Sequence, residues 1–350
     1  MAYTTIDDPT IFFNSIIYTG DANSSTQQTV GFQPDWSWIK ARNQAYDHRL
    51  QDSVRGGTKS LDSNTSDAEA TFSTGQVFNS TGFTIGDAGL GNESSTNYVS
   101  WNWKAGTSFS NDASSTSVGT IDSTGSVSET AGFSIISYTG TGANGSIKHG
   151  LSTAPRAMIF KNRDEGAEGW FVYHESVGNT KRAGLLDENS SASTSSTFFQ
   201  DTSPTSSIIT LGSNHGCNGP DAMICYAFSE RKGYSKMGSF VGTANANGPM
   251  IYTGFRPAWF FVKNTGASEH WRIYDNKRDP HNHMHHVIYV SDSGAESTTD
   301  NASEEIDFLS NGVKIRSSAQ QLNGSGHTLV FIAFAEAPFV NSKGVPNNAR

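Results

Sequence analysis

GFQPDWSWIK (31–40), STAPRAMIFK (152–161) and GFRPAWFFVK (254–263) decide how this chain is read. Each sets a proline six residues ahead of a lysine with an apolar run between them: Pro34 and Lys40, Pro155 and Lys161, Pro257 and Lys263. One such string carries no weight, whereas three at a fixed internal spacing mark a repeat. Short runs rich in Trp, Phe, Ile and Val, opened by a proline where no ladder donor is needed, are strands.

Working outward, the same parts recur in the same order. Upstream, IIYTG, ISYTG and GSFVG place Tyr18, Tyr138 and Phe240 at 16, 17 and 17 residues before the prolines. Downstream, YVSWNWKAG, MICYAFSER and VFIAFAEAP place Trp103, Phe228 and Phe334 at 69, 73 and 77 residues after them, increments that read as loop insertions. In Trp36-Ser37-Trp38 and Ser100-Trp101-Asn102-Trp103 large rings alternate with small polar residues, so one sheet face packs on a core and the other meets solvent or a partner. No segment keeps a helical period over 11 or more residues.

The fold expected is therefore all-β, with three tandem diverged β-sandwich or jelly-roll domains. Their expected bounds are 11–107, 131–232 and 233–337. Residues 108–130, dominated by Ser and Thr, are expected as a linker, residues 1–10 as an N-terminal attachment segment that docks by strand addition, and 338–350 as a C-terminal tail. A fibrous β-helix is disfavoured because its repeats are shorter, roughly 20–30 residues.

Charged residues make up 16% of the 350, against about 25% in ordinary domains, and Ser, Thr and Asn replace them, which suits short strands joined by polar turns. The net charge of −9, with Lys and Arg scattered singly, argues against a nucleic-acid partner. Cys217 and Cys225 have no second pair and read as free thiols. The N-terminus lacks the basic region and apolar run of a secretory signal, and no stretch approaches the ~18 apolar residues of a membrane span, so no membrane insertion is expected.

FQPDWSWIKARN, HRLQDSVRGGTKSL, STGFTIG, YVSWNWKAGTSFSNDAS and the ending FAEAPFVNSKGVPNNAR resemble a family of marine phage and cyanophage structural proteins, described as tail-fibre or concanavalin A-like lectin/glucanase-fold proteins. The resemblance covers essentially the whole chain. It implies a virion protein, made in a host cytoplasm and released by lysis, whose partners are other virion proteins of tail or head. A homo-oligomer, in the first instance a trimer, is expected. A tail-fibre or adhesin component contacting the host surface is the leading function; a head decoration or head-fibre protein is the alternative, and a glycan-degrading enzyme a remote third.

Catalytic signatures are weak, and no enzyme and no cofactor are expected. A glucanase strand needs three alternating carboxylates in one cleft, and Glu305-Ile306-Asp307-Phe308-Leu309-Ser310 lacks the third. GTGANG (140–145) leads into SIKHGLSTAP, without the helix that gives a glycine-rich loop its phosphate-binding physics, and reads as a turn. Two binding sites are expected instead. Trp170 and Trp271, beside the polar stretches RDEGAEG and NTGASEH, are the rings expected to stack on a host-surface glycan. In RDPHNHMHHV, strand alternation puts His281, His283 and His285 on one face as candidate ligands of a transition metal.

Overall fold

The computed structural model describes residues 3–23 and 25–347; the outermost residues of the expected attachment segment and tail lie outside the described residues. The molecule is all-β. The described residues form 28 strands, paired antiparallel, and their helices are single turns of three or four residues.

The three Pro–Lys stretches occupy the same place in three sheets of one design. In the first, the order is Phe13–Thr19, Asn97–Trp103, Trp36–Ala41, Arg49–Asp52. In the second it is Phe133–Thr139, Ala222–Phe228, Ala157–Asn162, Phe171–His174, and in the third Ser235–Val241, Thr328–Pro338, Phe255–Asn264, Arg272–Asp275. In each repeat an opening strand pairs with the closing strand, which pairs with the Pro–Lys strand, which pairs with a fourth. Register makes the residues equivalent: Trp36 sits opposite Trp103 and Asp52, Ala157 opposite Phe228 and His174, Trp259 opposite Phe334 and Asp275. A small sheet or hairpin covers the outer face of each, Gln27–Thr29 with Gly82–Ile85 and Gln76–Asn79 in the first repeat, and its counterparts in the others, with a separate apolar cluster in each gap.

The inner faces do not end in three private cores. Trp36, Trp38, Trp101 and Trp103 of the first sheet, Ile159, Tyr226 and Phe228 of the second, and Trp259, Phe261 and Phe334 of the third belong to one continuous buried cluster. Trp36 stacks on Tyr226 at 4.3 Å, Trp103 meets Trp259 edge-on at 5.5 Å, and Phe228 meets Phe334 at 5.9 Å. This corrects the expectation of three tandem domains: each repeat is a sandwich, but the three close around a common centre. A buried aromatic ring removes roughly 150–250 Å² from water, or roughly 4–6 kcal/mol at about 25 cal/mol/Å², so separating the repeats would be prohibitive.

Hydrogen bonds lock the closure, and they run in a circle. The residue just before each fourth strand donates to a neighbouring repeat: His48 Nε2 to the Tyr289 carbonyl (3.1 Å), Trp170 Nε1 to Asp62 (2.9 Å), Trp271 Nε1 to Leu185 (3.0 Å). These link first to third, second to first and third to second. The residue ending each fourth strand reaches the opposite way: Asp52 accepts from the Tyr226 hydroxyl (2.8 Å), His174 Nε2 donates to the Phe331 carbonyl (3.1 Å), and Asp275 accepts from Trp101 Nε1 (2.9 Å).

Two further expectations change. Residues 108–130 are not a free linker. Thr107–Asn111 and Ser123–Ser128 pair with each other and extend the second sheet beyond its opening strand. The Ser and Thr content of Thr107–Asn111 reflects its edge position, where polar side chains keep an exposed ladder from pairing further, while Ser123–Ser128 is paired on both sides. The described part of the N-terminal segment is likewise packed: Ile6 lies in the central core, Thr4 Oγ1 donates to the Lys232 carbonyl (2.8 Å), and Asp7 accepts from the Ser342 backbone N–H (2.6 Å). No helix of the described residues is long and apolar enough to cross a membrane.

Candidate functional site

The two tryptophans expected to bind sugar are structural. Trp170 and Trp271 are both 0% exposed. Their indole N–H groups are spent on the inter-repeat bonds just described, and Trp271 stacks on Phe261 at 4.5 Å. A ring with neither face in water cannot take a pyranose. The polar sequences beside them are turns that let the chain enter the core, and proximity to those turns was the misleading signal.

The expected histidine face does not form, because residues 281–283 are a bend and strand alternation does not apply to them. His281 is exposed, His283 Nδ1 lies 2.6 Å from Asp307, and His285 turns instead toward Asp279 and His286. Asp307 also pairs with Arg316 at 2.5 Å. GTGANG runs directly into the strand Gly145–Lys148, with Gly142 N–H on the Asn218 carbonyl at 2.7 Å, and is a turn.

The surface does offer one cleft with the chemistry of a binding site, and the first repeat builds it. In the second repeat the outward positions of the paired strands carry Phe160 and Phe171, and Phe199 and Phe198 of the covering segment pack on them at 5.9 and 5.4 Å. The equivalent pair in the first repeat is Ile39 and Arg49, and the covering layer leaves a cleft of about 270 Å³ there. Ile39 and Ala41 form part of its lining with Tyr46, Asp47, Arg49 and Glu93. That volume lies at the small end of ligand clefts, roughly 300–1,000 Å³.

Hydrogen bonds within the lining and behind it hold Arg49, Asp47 and Tyr98 in place. Arg49 donates through Nε to the Gly89 carbonyl (2.9 Å) and through Nη1 to Asp62 (2.5 Å), while its Nη2 has no partner among the described residues. Asp47 accepts from Asn64 Nδ2 at 2.8 Å. The Tyr98 hydroxyl accepts from the Glu93 backbone N–H (3.1 Å), its ring stacks on Tyr18 at 5.3 Å, and burial pushes its pKa up, so it lines the cleft as a neutral group. Gly91 is required: its φ is +117°, and a Cβ there would stand 2.7 Å from the Ile39 methyl. Against this fixed frame Tyr46 is 43% exposed, an aromatic ring left facing water. An exposed ring beside carboxylates and a guanidinium donor offers the apolar face and polar hydrogen-bond set that a saccharide takes. Sequence reading passed over Tyr46 because NQAYDHR has no strand pattern; its place just after the ring-rich strand Trp36–Ala41 was the available signal.

Neither a curated protein nor a solved structure matches the chain. Residues 8–338 match, as a single span, the model of a family described as a domain of unknown function, DUF7483, so one domain model takes in all three repeats. The chain belongs to the DUF7483 family.

Proposed function

We propose that this protein is a non-enzymatic structural component of a phage particle, in first place a tail-fibre or adhesin component, and that the Tyr46 cleft is where it meets a host-surface glycan. The observation that carries the binding half of this reading is Tyr46 itself, an exposed ring fixed beside Asp47, Arg49 and Glu93 on a scaffold whose other large rings are mostly buried. A closed body with interlocked repeats suits a module that must present a surface without deforming. The particle half rests on the resemblance of the strings quoted above.

Two measurements test the halves separately. Binding of the full chain to a panel of bacterial surface polysaccharides is expected for the wild type and lost in Tyr46→Ala, with an unchanged melting temperature; equal binding by both would remove the cleft from the function. Gold-labelled antibody on intact particles is expected at the tail. Label spread over the head would replace adhesion with a decoration or head-fibre role, and unlabelled particles would end the virion reading.

A further inference from the structure

The loop after Asp275 gathers groups that the fold does not use. One ring nitrogen each from His285 and His286 and a carboxylate oxygen of Asp279 lie within 4.8 Å of one another. Asp279 is 6% exposed. Its Oδ2 accepts from the backbone N–H groups of His285 (2.8 Å) and His286 (3.2 Å), which pins both histidines beside it, while Oδ1 accepts no hydrogen bond among the described residues.

The tautomers are set by neighbours. His285 Nδ1 lies 3.2 Å from the His283 carbonyl, and His286 Nδ1 lies 3.1 Å from the Arg278 carbonyl. A carbonyl can only accept, so Nδ1 carries the proton in both rings and Nε2 keeps its lone pair. Nε2 is then the nitrogen free to take a metal, whereas the nitrogen of His285 that meets Asp279, at 4.0 Å, is Nδ1, so that ring must turn for both imidazoles to bind one ion. The surrounding charges are largely matched: Glu296 takes Arg42 (2.7 Å) and Arg278 (2.9 Å) while also lying 3.6 Å from His286 Nδ1, and Asp275 takes the rest of Arg278. Asp279 is the carboxylate left facing the two imidazoles with no lysine or arginine partner among the described residues.

We propose that Asp279, His285 and His286 form a binding site for a divalent first-row transition metal. Two imidazoles and a carboxylate are a donor set that zinc, nickel and ferrous iron all accept. Tetrahedral coordination at about 2.0–2.1 Å places donor atoms roughly 3.3 Å apart, so donors that now lie within 4.8 Å of one another must draw in by at most about 1.5 Å. The side chains of His285 and His286 are a quarter exposed and have room to do so. The site differs from the His281, His283 and His285 face expected from spacing, since His283 is committed to Asp307.

The test is titration of the chelator-treated full chain with Zn²⁺, followed calorimetrically and by melting temperature, with Co²⁺ as a spectroscopic probe. Expected are one equivalent bound per chain, a melting temperature raised by roughly 2 °C at saturation, and a cobalt d–d band that marks nitrogen ligation. His285→Ala and His286→Ala each weaken binding by roughly tenfold or more, and His281→Ala leaves it unchanged. Absence of stoichiometric binding to the wild type overturns the proposal. So does binding that survives the double replacement of His285 and His286, or that is lost in His281→Ala. Should a variant not fold, the cobalt spectrum of the wild type decides by itself, because a band without nitrogen ligation also overturns the site.

Discussion

The indole N–H of Trp101 donates to Oδ2 of Asp275 at 2.9 Å, joining the closing strand of the first repeat to the fourth strand of the third. The same carboxylate pairs with Arg278, and both charged side chains are fully buried. Removing the carboxylate leaves a buried guanidinium with Glu296 and the Ile273 carbonyl but no partner for its Nε, and deprives the indole N–H of its acceptor. Asp275→Ala is therefore expected to cost about 3–5 kcal/mol, read as a lower midpoint in urea. A loss under about 1 kcal/mol would show that the repeats hold together without these bonds.

Trp170 and Trp271 give a second test of closure. Replacing either by Ala leaves a cavity at a repeat boundary and is expected to cost about 3–5 kcal/mol. Trp271→Phe keeps most of the ring but removes the donor to the Leu185 carbonyl, with an expected cost of about 1 kcal/mol. Thermal melts rank the three; a Trp271→Ala chain as stable as the wild type would contradict its place in the core.

Lys40, Lys161 and Lys263 stand at equivalent positions, all are buried, and Lys40 and Lys161 donate to carbonyls of a neighbouring repeat, Ser293 (3.1 Å) and Ser66 (2.8 Å). Burial pulls their pKa values from 10.5 down to about 8, about 8 and about 7. Between pH 7 and 10 the unfolded chain thus holds protons that the folded chain has released, and stability must rise with pH. Below pH 7 all three are charged in both states and the burial penalty is complete. The melting temperature of the wild type is expected to climb from pH 7 to 9.5 more steeply than that of a triple Lys→Met variant. Above pH 10 the sign reverses, because burial holds Tyr18, Tyr138 and Tyr226 well above the usual tyrosine range. A wild-type curve that falls between pH 7 and 9.5 relative to the variant would refute the account.

Cys217 and Cys225 are free and buried under the outer layer of the second repeat. Burial pushes the Cys217 thiol up to about 12 and Cys225 well above its ordinary value, so neither forms the reactive thiolate. Both are expected to resist a thiol reagent at pH 8 until the chain is unfolded; fast labelling of the native protein would mean that this layer opens.

What could be read from sequence was local. The proline-to-lysine spacing and the tryptophans alternating with Ser37 and Asn102 give the strands, and these hold; the polar face does not meet solvent, because Ser37 and Asn102 are 0% exposed beneath the covering layer. The partner of the ring face was invisible, because Trp36 facing its own repeat and Trp36 stacked on Tyr226 of the next produce the same pattern. That ambiguity also hid the role of Trp170 and Trp271. The histidines failed for a different reason: grouping His281, His283 and His285 presumed a strand, while the backbone there bends and brings up His286. Asp279 could not have been paired with them from spacing alone, since its carboxylate reaches their backbone N–H groups only through that bend. Tyr46 was legible only as a residue without a pattern.

Asp7 and Ser342 hold the two ends of the described chain side by side. The ring of repeats therefore has a seam, between Asp7 and Ser342, rather than a first and a last member. A gene cut at another junction, with the present ends joined by a short peptide, would encode the same closed body from a rotated starting point, and a fusion placed at the seam would project from one fixed point on the circumference.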